Sequence, residues 1–91
     1  MIYQLTYELR DSEKDYTDFF TYLEKELGDD ALHILRDAWW FSLDKADLDD
    51  MSDDIKKHMG DKDIFFLASI TPGQINGWMP KSVWKWYNEH S

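Results

Sequence analysis

Ala31-Leu32-His33-Ile34-Leu35-Arg36-Asp37-Ala38-Trp39-Trp40-Phe41-Ser42-Leu43 is the stretch on which the fold turns. It is rich in large apolar residues and is interrupted at Arg36-Asp37, so it reads as two strands meeting at a short or bulged turn. One long bent strand is the alternative reading. Trp39 and Trp40 are sequence neighbours, and in a strand neighbours point to opposite sides of the sheet. One of them belongs to the core. The other is expected to meet a docking tail or an interface, because stacking on a nucleic-acid base calls for a basic groove that this sequence lacks.

Upstream, Ile2 to Leu9 alternates, with Tyr3, Leu5, Tyr7 and Leu9 on one face and Gln4, Thr6 and Glu8 on the other, which predicts a half-buried first strand. Tyr16, Phe19, Phe20, Leu23 and Leu27 then recur at helical spacing, and Asp15 is placed to cap that helix while Gly28 ends it.

Downstream, Met51, Ile55 and Met59 mark a second, shorter helix, with Asp50 or Ser52 as its cap and Gly60 as its stop. Ile64 to Thr71 is apolar enough to be a central strand buried on both faces, and Pro72-Gly73 ends it. Pro80 suits the first turn of a terminal helix over Lys81 to His90. Strand, helix, two strands, helix, strand is the ferredoxin-like order. The sequence therefore predicts one α+β domain over 1–91, a βαββαβ sandwich (core 1–71) followed by an aromatic-rich docking tail (72–91).

The 91 residues include five each of Trp, Tyr and Phe and carry a formal charge of −9, with 19 acidic side chains against 10 basic ones. Each buried aromatic removes roughly 150–250 Å² from water, so few residues supply a large core or interface. A nucleic-acid backbone is held by Lys and Arg that displace its counterions, so direct nucleic-acid binding is disfavoured; the same field suits a basic protein partner or divalent cations, or simply keeps an aromatic-rich domain soluble. With no cysteine, neither a disulfide framework nor a thiolate zinc site is available. No stretch resembles a signal peptide or a membrane span, and a cytoplasmic location is the expectation.

Candidate chemistry is sparse. Glu8, Asp11 and Asp15 gather around the end of the first strand, where carboxylates could hold Mg²⁺. In that reading Glu8 and Asp11 are catalytic and all three are metal ligands; otherwise no cofactor is implied. Asp44, Asp47, Asp49, Asp50, Asp53 and Asp54 do not fit a calcium loop, which needs a glycine sixth and a glutamate twelfth, and they are expected to solvate a loop and favour the start of the second helix. His33, His58 and His90 are too scattered for short metal-ligand spacings. Neither a serine-nucleophile motif nor a glycine-rich phosphate loop is present.

Thr6-Tyr7-Glu8-Leu9, Lys14-Asp15-Tyr16, His33-x-Leu35 leading through Arg36-Asp37-Ala38 to Trp39, and Gly77-Trp78-Met79-Pro80 resemble small bacterial and phage proteins labelled "SinR family". Those proteins are similar in turn to the CRISPR-associated ferredoxin-like spacer-acquisition subunit and to virulence-associated protein D. The resemblance implies a ferredoxin-like protomer and a homodimer. It also implies a fold on which some relatives cleave nucleic acid with a metal at an aspartate ending the first strand, the place Glu8 holds here.

The expected function is a non-enzymatic, homodimeric protein-interaction module, with Trp39, Trp40, Trp78, Trp84, Trp86 and Tyr87 as interface residues. The alternatives are a metal-dependent endonuclease acting on RNA or DNA and an acidic inhibitor that mimics nucleic acid.

Overall fold

The computed structural model describes residues 1–27, 31–44 and 46–91. The chain runs β1 (Ile2–Glu8), α1 (Thr17–Lys25), β2 (Ala31–Leu35), β3 (Ala38–Ser42), α2 (Leu48–Lys56), β4 (Ile64–Ile70) and α3 (Lys81–His90). The Arg36-Asp37 break makes the β2–β3 turn, and the register slips between His33 and Leu35, so the bulged hairpin forms and the single bent strand does not. All neighbouring strands are antiparallel in the order β2-β3-β1-β4, which sets the first and third strands side by side as a ferredoxin-like βαββαβ fold requires.

Alternation along each strand sorts the side chains into two cores. Tyr3, Leu5 and Tyr7 of β1 and Trp39 and Phe41 of β3 face α1 and α2, where Phe19, Tyr22, Leu23, Met51 and Ile55 complete the main core. Tyr22 adds to the stripe read from the sequence: it is buried and stacks on His58 at 4.1 Å. On the opposite face Ile2 and Trp40 meet Val83 and Trp86 of α3. The Trp40 ring lies 5.9–6.4 Å from the rings of Trp84, Trp86 and Tyr87, and aromatic pairs at such distances contribute about 0.5–1.5 kcal/mol each beyond their buried area. The tail thus docks on the sheet of its own chain.

Several local expectations need correction. The cap of α1 is Tyr16; Asp15 lies one residue earlier and accepts the Thr17 amide and hydroxyl at 2.9 and 2.6 Å, an Asx-type turn leading into the helix. Gly28, expected to end this helix, lies outside the described residues. Asp47, not Asp50 or Ser52, caps α2, because its carboxylate accepts the amides of Asp49 and Asp50. Pro80 is the residue just before α3.

The largest correction concerns β4. It is an edge strand, not a central one: among the described residues it pairs with β1 alone, and while Phe65 and Leu67 pack on the main core, Ile64 and Phe66 on the other face are exposed, Phe66 by 71%. Hydropathy reports how apolar a strand is, whereas its place in the sheet follows from the chain path, and here the two doubly flanked positions go to β1 and β3.

Candidate interaction surface

The carboxylates singled out at the end of β1 are each engaged locally. Glu8 accepts from the Arg10 guanidinium at 2.9 Å in an exposed pair. The Asp11 carboxylate accepts the Glu13 amide at 3.1 Å, and Asp15 serves Thr17. Among the described residues no group of three or more His, Cys, Asp or Glu side chains is placed to hold a metal ion, so Glu8, Asp11 and Asp15 do not assemble into the expected ligand set. The Thr17 hydroxyl and amide hold the Asp15 carboxyl below its ordinary range, which suits a standing negative charge and not proton donation.

Sequence reasoning passed over the carboxylate that does organise this end of the molecule. Asp63 Oδ1 accepts from the Arg10 amide and the Tyr16 hydroxyl, Oδ2 accepts from the Gly60 amide, and all three distances are 2.7 Å. The Tyr16 hydroxyl in turn accepts the Asp11 amide at 3.2 Å, so the loop after β1 is fastened to the loop before β4. Partial desolvation would raise the Asp63 carboxyl, but the bonds from Tyr16, Arg10 and Gly60, with Lys14 nearby, outweigh it and hold the group below the usual carboxylate range. Burial and the bond to the Asp63 anion push the Tyr16 phenol up. In a chain with 19 acidic residues nothing marks Asp63 in the sequence.

The rings expected at an interface are mostly spent inside the chain. Trp39 and Trp40 are each only 5% exposed: Trp39 Nε1 donates to the Tyr7 hydroxyl at 3.1 Å and Trp40 Nε1 to Gln4 at 2.9 Å. Trp86 is buried on the sheet-facing side of α3, and Trp84 and Tyr87 are half-buried against the same cluster. Only Trp78 of the named set is fully exposed.

Among the described residues the sheet ends in two edge strands, β2 and β4, and the longer of them, β4, offers the more apolar edge. Met1 and Leu43 exchange both backbone hydrogen bonds, and the Tyr7 amide donates to Asp37, so the odd residues of β1 bond towards β3. In an antiparallel ladder each residue directs its N–H and C=O to one side, so the even residues of β1 bond towards β4. Their partners are Ile64, Phe66, Ala68 and Ile70, which leaves the N–H and C=O groups of Phe65, Leu67 and Ser69 pointing outward. Beside this edge a groove of about 760 Å³ opens between β4 and α2, with Leu48 and Met59 among its apolar lining and Asp49, Lys56 and Asp61 at its polar positions. On the other face of the strand Phe66 and Ile64 line a shallower apolar depression with Thr6 and Glu8.

Comparison of the chain with protein-family models, curated proteins and solved structures gives no match. Among the described residues no helix is long and apolar enough to cross a membrane.

Proposed function

We propose that this chain is a non-enzymatic protein-interaction module whose docking surface is the β4 edge. The observation that carries the reading is a seven-residue apolar strand with one flank unpaired among the described residues and Phe66 lying 71% in solvent. An exposed strand edge is a template for another extended chain, and folds that do not use it for binding commonly shield it with charge, proline or a bulge. Within Ile64–Ile70 none of these devices is present.

The surplus of rings, which suits either tail docking or dimerisation through the sheet, is taken up by α3, so a dimer built on the aromatic face loses that support. Direct pairing of two β4 strands about a two-fold axis would set two α2 helices, each bearing Asp49, Asp50, Asp53 and Asp54, on one side of the joint sheet. Like charges so placed repel. A different protein suits this edge better than a second copy.

Backbone hydrogen exchange on the free chain tests the surface. The amides of Phe65, Leu67 and Ser69 should exchange fast beside protected Phe66 and Ala68; slow exchange at the first three would mean that the edge is already covered and the reading fails. Incubation with RNA or DNA and Mg²⁺ or Mn²⁺ tests the activity. Cleavage that disappears in Glu8→Ala would replace the module with a nuclease.

A further inference from the structure

We infer that the occupant of the β4 edge is an extended, basic segment of another protein that adds as a fifth strand, with Lys or Arg on alternate residues facing α2 and apolar residues between them covering Phe66. This rests on the reading of the β4 edge as the docking surface and specifies its partner. The outward N–H and C=O groups at Phe65, Leu67 and Ser69 fix where an added strand bonds. Residues of that strand lying directly opposite Phe65 and Leu67 share their face of the sheet, and so project along α2.

There the rim is acidic. Asp49 and Asp61 line the groove, and the one base in it, Lys56, lies 3.8 Å from Asp53. A lysine or arginine stem can lie along the apolar side chains of Leu48 and Met59 while its charge reaches Asp49. The intervening residue, opposite Phe66, falls on the other face, where an aliphatic side chain removes the exposed ring from water. Main-chain pairing supplies affinity in such complexes, and alternate side chains supply the selection. The formal charge of −9 attracts the same partner from a distance.

The probe is a blocked peptide as long as β4 that alternates valine with lysine; its control alternates valine with glutamate. Titrated into isotope-labelled protein, the lysine peptide should bind saturably and slow exchange at Phe65, Leu67 and Ser69, while the glutamate peptide should not. Asp49→Lys, a change at an exposed side chain, should weaken binding about fivefold, equivalent to about 1 kcal/mol. Equal binding of both peptides, or spectral changes spread over the acidic surface without slowed exchange at those three amides, overturns the proposal. So does a dimer in sedimentation with the same amides protected, which would assign the edge to a second copy. If the edge amides exchange fast in the free chain and the lysine peptide leaves them unchanged, the partner class is wrong while the docking surface stands.

Discussion

The Asp63 carboxylate gathers donors 53, 47 and 3 positions away in sequence, and through them the turn after β1 is fixed against the turn before β4. Asp63→Asn keeps an oxygen for Arg10 and Tyr16 but turns an amide NH₂ towards the Gly60 N–H, so donor faces donor. The expected loss is about 1–2 kcal/mol in urea unfolding at pH 7, the range for one charge-assisted hydrogen bond and its unpaired donor at a partly exposed site. Its pH dependence has a definite sign. The folded carboxyl lies below its unfolded value, so its contribution is complete above an unfolded pKa of about 3.9 and disappears as pH falls through the lower folded value. The gap between wild type and Asp63→Asn should therefore be flat from neutral pH down to about 5 and close below about 4. A gap that widens in acid would contradict the assignment of Asp63 as the anionic acceptor.

At the scale of elements, α3 covers the second face of the sheet around Ile2, Trp40 and Ile70 while the Ile64–Phe66 end of β4 stays open, and the two indoles buried between α3 and the sheet make different demands. Trp40 Nε1 has Gln4 as its acceptor, whereas Trp86 Nε1 is buried with no hydrogen-bond partner among the described residues. Replacing either ring with phenylalanine removes similar volume. Only Trp40→Phe also gives up a hydrogen bond and strands the Gln4 oxygen, so it should cost about 1 kcal/mol more than Trp86→Phe in matched denaturant curves. Equal losses would show that the Trp40–Gln4 hydrogen bond contributes nothing net to stability. The position of α3 was legible from Pro80 and the apolar spacing behind it, and the β2–β3 hairpin from the break at Arg36-Asp37. The exposed face of β4 was not legible, because Ile64-Phe65-Phe66-Leu67 has the same hydropathy whether a neighbouring strand or solvent flanks it. The α2 cap was missed for a related reason: Asp47, Asp49 and Asp50 are chemically alike, and only the backbone path selects Asp47.

For the molecule as a whole, the −9 charge acts on stability as well as on the choice of partner. Folding to a Cα radius of gyration of 13.2 Å brings the excess anions closer together than in the unfolded chain, where a polymer of this length spreads over roughly twice that radius. Opposing this repulsion are the exposed pairs Arg10–Glu8, Lys56–Asp53, Lys57–Asp54 and Lys85–Glu89. Surface pairs of that kind contribute about 0–1 kcal/mol each, and salt weakens them too. Raising NaCl from 0.1 to 1 M shortens the screening length from about 10 to about 3 Å, which cuts repulsion between distant anions far more than attraction between groups about 3–4 Å apart. Added salt should therefore stabilise the chain at pH 7 by roughly 1 kcal/mol, raising the thermal midpoint by about 4–8 °C for a domain of this size. Near the isoelectric point, about 4.5, the surplus is gone and only the weakened pairs respond, so the same addition should be neutral or slightly destabilising. A midpoint that falls with salt at pH 7 would mean that the local pairs outweigh the net field. The acidic surface would then be a stabilising network, and its availability to a basic partner would have to be reassessed.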